Sequence, residues 1–244
     1  MKALIAAIAF LTRIPIASRI ELAVEDVKRS MLFFPLVGAL IGLTGFAAYY
    51  LLIKILPHNV ALVLVLALLA LMTGALHLDG LADTFDGFGG GRTKADVLRI
   101  MRDHQIGSYG ALALIFVVLA KYAALVNMNA AQIGIYLIIA PSLGRWSAVL
   151  LAYFLPYARQ EGMASAFVKQ VRWVELLGAT AFALTICMYL AGTRGAICLA
   201  VVAALTTITG LYFHRRIGGV TGDTIGSNVE LSEVMVLLSG LILK

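Results

Sequence analysis

Residues 31–56 read MLFFPLVGALIGLTGFAAYYLLIKIL and residues 60–78 read VALVLVLALLALMTGALHL, with Pro57-His58-Asn59 between them. Each run suits a helix crossing a hydrocarbon layer, which takes ~20 apolar residues. Lys54 is the only charged residue in either run. Neither run alternates with period two, and lipid offers the backbone no hydrogen-bond partner, so both are predicted as helices joined by a tight turn. Further runs follow at 109–126, 133–155, 174–191 and 196–213, with a shorter one at 229–243. The expectation is an all-α polytopic membrane helix bundle of about seven spans, the last short or partial.

Composition agrees. The 244 residues are 61% hydrophobic and 13% charged, with a mean hydropathy of +0.97, whereas a soluble domain carries about 25% charged residues. Disorder and a disulfide scaffold are excluded by the hydrophobicity and by the presence of only 2 cysteines. Residues 1–244 are read as one integral-membrane catalytic domain. Residues 2–12 are read as an N-terminal interfacial or re-entrant helix rather than a secretory signal, because Arg13 and Pro15 follow with no small-residue cleavage site. Cys187 and Cys198 flank the turn between the fifth and sixth spans and are read as buried thiols without chemistry.

Alternating the sides places residues 12–30, 79–108, 156–173 and 214–228 on one face, together with the N-terminus. Fourteen of the 19 Lys and Arg residues then fall on that face, against Lys54, Arg194 and Lys244 opposite, with Lys121 and Arg145 inside predicted spans. The excess of basic residues marks that face as cytoplasmic. The net charge of +6 is accordingly read as topology, with the lipid bilayer as partner and no nucleic acid.

At the cytoplasmic end of the second span, residues 77–92 read HLDGLADTFDGFGGGR. Asp79, Asp83 and Asp86 are spaced i, i+4, i+7, which puts three carboxylates on one stripe of a helix. Like charges so close at a membrane edge need a cation. Hard oxygen donors without cysteine, and with His77 about 200° round the helix from Asp79, favour Mg²⁺ or Mn²⁺ over zinc. Such an ion keeps positions for substrate phosphate. The glycines at 87, 89, 90 and 91 and the cations Arg92, Lys94, Arg99 and Arg102 fit a phosphate guest. The plainer alternative is a mobile glycine loop with basic residues that only hold orientation.

A second polar stretch, residues 221–233, reads TGDTIGSNVELSE. By the side count it shares the face of the aspartates, which makes a composite site possible. Asp223 is a candidate base or second metal ligand, and Glu230 with Glu233 would lie at the membrane edge. Arg145 is costly in lipid and needs an anion, either a carboxylate such as Glu230 or substrate phosphate. His104, beside Asp103, is a candidate general base.

These residues resemble the cobalamin synthases, the adenosylcobinamide-GDP ribazoletransferases of prokaryotic membranes. The resemblance runs through residues 10–15, 34–38, 77–87, 100–103 with 106–107, and 222–226 with Glu230, across nearly the whole chain. It departs at Ser227-Asn228, where small residues such as Ala are common, and at His104, where Ser is common. The resemblance implies a Mg²⁺-dependent enzyme of the prokaryotic inner membrane with its active-site loops in the cytoplasm. A hydroxyl of α-ribazole, or of its 5′-phosphate, would displace GMP from adenosylcobinamide-GDP.

On chemistry and proximity, Asp79, Asp83 and Asp86 are assigned to metal, and Asp223, Glu230 and His104 to catalysis. Arg92, Arg99, Arg102 and Arg145 are assigned to substrate phosphates. Two Mg²⁺ ions would explain the number of converging carboxylates. The oligomeric state is open, a homo-oligomer included. A CDP-alcohol phosphotransferase fits less well, because Asp83 stands where its motif has Arg. An aspartate-rich prenyltransferase and a cation carrier are the remaining alternatives.

Overall fold

The computed structural model describes residues 1–16, 21–103, 105–162, 164–168 and 171–243. Among them the regular structure is helical: α1 (Lys2–Leu11), α2 (Val24–Ser30), a 3-10 turn (Met31–Phe33), α3 (Phe34–Leu52), α4 (His58–Thr73), α5 (Leu76–Gly90), α6 (Lys94–Ile100), α7 (Ser108–Val126), α8 (Ala130–Phe154), α9 (Ser165–Val168), α10 (Trp173–Ala191), α11 (Thr193–Ile217) and α12 (Gly222–Ile242). Among the described residues, six stretches are long and apolar enough to cross a membrane. They are Val24–Leu52 and helices α7, α8, α10, α11 and α12; the bent pair of α4 and α5 would bring the number to seven. The expected all-α polytopic bundle is the observed architecture.

Two boundaries differ from the sequence reading. The second span was expected to run on into the aspartates, but α4 stops at Thr73 and α5 leaves at 88° to it. The cause is local: Gly74 (φ 62°) and Ala75 (φ 55°) both adopt the left-handed conformation, and the Ala75 N–H closes the end of α4 on the Ala70 carbonyl at 2.8 Å. Glycine takes that conformation freely and ends helices with it. At ~1.5 Å per residue, the 16 residues of α4 reach only about 24 Å, less than a ~30 Å hydrocarbon layer.

The last span was expected to be short, from residue 229, yet α12 has 21 residues and starts at Gly222. Thr221 caps it by accepting the Thr224 N–H at 3.2 Å. Among the polar residues that hid its first turns, Asn228 is satisfied by α11: Thr209 donates to Asn228 at 2.6 Å, and Asn228 donates to Thr206 at 3.2 Å, so its amide is buried with partners.

α8 forms the centre of the bundle, with α3 packed along it. A Cβ on Gly38 would run into the carbonyl of Pro141, and one on Gly42 into that of Leu137. A glycine pair four residues apart lets two helix backbones touch where lipid supplies no hydrophobic drive to associate. Cys187 and Cys198 are buried free thiols.

The loops predicted to share a face are tied to one another. Arg216 donates to the carbonyls of Phe88 at 3.3 Å and Gly91 at 3.0 Å. The Ala158 N–H bonds the Val220 carbonyl at 2.8 Å, and the Val220 N–H returns to Pro156 at 2.9 Å. The Arg13 N–H reaches Met72, at the end of α4, at 2.8 Å.

Candidate active site

Helix α5 carries Asp79 exposed, Asp83 half-buried and Asp86 buried. The first turns of two other helices come to it. A Cβ on Gly80 would stand 2.8 Å from the Asp223 carbonyl oxygen, and one on Gly226 would stand 3.2 Å from the His77 Cα. Glycine at both positions is what lets α5 and α12 meet backbone to backbone. Asp79, Asp86 and Asp223 consequently act on Asp83 as neighbouring charges.

α7 meets the far half of α5. Asp86 accepts the backbone N–H groups of Gly107 at 2.8 Å and Gly110 at 2.9 Å, and a Cβ at either glycine would run into its carboxylate. It thus satisfies two of the four open N–H groups at the start of a helix and meets the positive end of the helix dipole. The sequence reading assigned this residue to metal with Asp79 and Asp83; the structure shows it holding α7 against α5. Asp86→Ala should therefore cost about 1–2 kcal/mol of stability. A melting temperature in detergent equal to that of the unchanged protein would contradict the capping role.

The cation at the cluster is Arg159, which sequence reading passes over. It lies after α8 and pairs with Asp223 at 2.7 Å, while also donating to the Met101 carbonyl at 3.4 Å. The bonds between residues 156–158 and Val220 fix its loop. Burial pushes the neighbouring Tyr157 phenol above its ordinary value; Arg159 opposes that rise, Asp223 adds to it and Arg102 opposes it. Arg102 is exposed, but its charge is thus felt at the site.

Arg92 and Arg99 are exposed beside Asp96. Hydrogen bonds from Thr93, first from its hydroxyl and then from its N–H, hold the Asp96 carboxyl below its usual range. Arg216 was also missed. Its two bonds to the end of α5 place a cation on open carbonyls at the negative end of that helix. His104 lies outside the described residues.

Glu230, Glu233, Lys121 and Arg145 form a separate group inside the bundle. Lys121 bonds Glu230 at 2.7 Å and Glu233 at 2.5 Å, and Arg145 pairs with Glu233. The structure thus gives Arg145 a carboxylate partner, Glu233, and engages Glu230 with Lys121. The four charges sum to zero. With Thr73 and Tyr122 they form the polar part of a largely apolar cavity of about 460 Å³, whose lining includes Leu78, the residue before Asp79.

Among the described residues, no three carboxylate, His or Cys side chains are placed to enclose a metal by themselves. Mg²⁺ is commonly held by one or two carboxylates together with substrate phosphates. Asp79, Asp83 and Asp223 offer hard oxygen donors with no thiolate among them. This donor set fits such an ion.

Residues 3–242 match the family model described as cobalamin-5-phosphate synthase. The chain belongs to the cobalamin-5-phosphate synthase family. Relatives named adenosylcobinamide-GDP ribazoletransferase cover the same length. The Geotalea daltonii protein is 39% identical over 96% of this chain and 94% of its own. Those of Ralstonia pickettii and Klebsiella pneumoniae are 35% and 37% identical, over 97% and 98% of this chain and 93% and 99% of their own. No solved structure matches this chain.

Proposed function

We propose that this chain joins adenosylcobinamide phosphate, taken from adenosylcobinamide-GDP, to α-ribazole or its 5′-phosphate, with release of GMP. The observation that carries the reading is the juxtaposition, across the Gly80 contact, of the α5 aspartates with Asp223 and Arg159. Full-length similarity to the ribazoletransferases supports the choice of substrates. In the reaction a ribose hydroxyl bonds to the phosphorus on the cobinamide side. The bond from that phosphorus to the bridging oxygen breaks, and GMP leaves with the electron pair.

Such a displacement depends on placement and on charge neutralisation more than on covalent chemistry. Asp79 and Asp83, with Asp223 alongside, would hold Mg²⁺, singly or as a pair, and the ion would neutralise charge on the diphosphate. Asp223 has one carboxylate oxygen on Arg159; its other oxygen serves to take the proton of the attacking hydroxyl. Asp86 keeps α7 seated so that α5 presents Asp83. Glu230 acts at a distance by holding α12 to α7 through Lys121, and Arg145 by holding α8 to α12 through Glu233.

The basic residues on the side of the site support a cytoplasmic orientation of that face in a prokaryotic inner membrane. The test supplies the protein with Mg²⁺, adenosylcobinamide-GDP and α-ribazole, in detergent and in sealed vesicles of either orientation. GMP release coupled to cobamide formation is expected in detergent and in inside-out vesicles. GMP release that is absent, or indifferent to α-ribazole, would overturn the proposal.

A further inference from the structure

We propose that Arg159 is a ligand of the substrate's diphosphate, exchanging Asp223 for a phosphoryl oxygen when substrate arrives; this rests on the reaction proposed above. The place proposed for the diphosphate is already negative: Asp223, Asp79 and Asp86 all act on Asp83 as neighbouring charges. A nucleoside diphosphate ester brings further negative charge into that group, and like charges in a partly buried site repel strongly. A divalent ion meets part of this demand. Among the described residues, Arg159 is the cation that forms an ion pair with the cluster.

Its geometry suits exchange. The guanidinium meets Asp223 through a single Nη2–Oδ2 contact of 2.7 Å and not through a two-pronged fork. The same Nη2 has only a long 3.4 Å bond to the Met101 carbonyl. Its Nε is buried and has no partner. A guanidinium offers five N–H donors in a plane matched to phosphate, and a buried donor left unmatched is costly in a resting protein. Arg159 is thus under-used as it stands. Moving its fork to a phosphoryl oxygen would use the free donors and release the Asp223 carboxylate that the reaction needs.

The backbone around it is held independently of the side chain's own contacts. Residues 156–158 are bonded to Val220 on both strands of an isolated bridge, which sets the Cα of Arg159 next to the first turn of α12. The Arg159 charge is felt at the neighbouring Tyr157 phenol, where it opposes the rise caused by burial.

The experiment has two independent readouts on the full-length protein in detergent. The first is calorimetric binding of Mg²⁺ with inorganic pyrophosphate, which needs no turnover. Arg159→Ala is expected to weaken it by about a hundredfold and Arg159→Lys by about tenfold, since lysine keeps the charge but not the fork. The second is steady-state kinetics, where Arg159→Ala should raise the KM for adenosylcobinamide-GDP, leave the KM for α-ribazole unchanged and recover part of its rate with added guanidinium. Pyrophosphate affinity equal in the unchanged protein and in Arg159→Ala overturns the assignment. So does a loss that falls equally on both substrates with a lowered melting temperature, which would mark a structural partner of Asp223. Unchanged protein that binds pyrophosphate through Arg159 but releases no GMP overturns the reaction and leaves the diphosphate ligand standing.

Discussion

Asparagine in place of Asp83 is expected to lower kcat/KM for GMP release by about a thousandfold, or about 4 kcal/mol of transition-state stabilisation, while the fold stays intact. The substitution keeps shape and volume. Asp83 sits half-buried on α5 between buried Ala82 and buried Thr84, so no packing is lost. What disappears is the central charge of the carboxylate group, on which Asp223, Asp79 and Asp86 all bear. Removing one of several repelling charges relieves the resting protein, so the melting temperature should hold or rise as activity falls. That opposite movement of stability and turnover is the signature of a residue kept for function. Turnover by Asp83→Asn within tenfold of the unchanged protein would show that the cluster is not where phosphate is handled.

Removing Glu233 should have the largest effect on the fold. Arg145 is 3% exposed and Glu233 is 8% exposed; Glu233 is bonded to both Arg145 and Lys121. Glu230 still pairs with Lys121 in its absence, but Arg145 is left as a buried cation with no carboxylate. Breaking a buried pair on one side costs about 3–5 kcal/mol. Glu233→Ala should therefore give poor yield and a sharply lower melting temperature in detergent.

A paired change, Glu233→Gln with Arg145→Met, removes one charge of each sign and should recover most of the loss, because net-neutral replacement of a buried pair is often tolerated. A melting temperature for Glu233→Ala within a few degrees of the starting protein would refute this account of the interior. Equal damage from the single and paired changes would instead assign the effect to packing volume.

The interior group also illustrates how far sequence reading reaches. Lys121, Arg145, Glu230 and Glu233 are each conspicuous as charges in apolar runs, and the need for partners follows from the cost of a lone charge in lipid. Which carboxylate meets which cation depends on how α7, α8 and α12 are rotated about their axes. The apolar pattern of helices surrounded on most sides by other helices or lipid carries little such information.

Asp86 shows the same limit from the other side. Its i+7 spacing from Asp79 is a fact of helix geometry, but its two bonds to Gly107 and Gly110 bring together residues more than twenty positions apart. Arg159 bears no local mark at all. Its importance arises only once Val220 and Pro156 hold its loop against α12.

Read alone, the chain determined that it is a helical membrane protein, which of its loops share a face, and that aspartates on that face are suited to a hard cation and phosphate. These follow from length, hydropathy and spacing, quantities that any apolar solvent and any helix would enforce. Tertiary packing decided the length of α12 and the division of six acidic side chains into an outer group beside Arg159 and an inner group neutralised by Lys121 and Arg145. Such features depend on backbone approach at Gly80 and Gly226 and on hydrogen bonds between distant segments, and neither is expressed in the residues of a single helix.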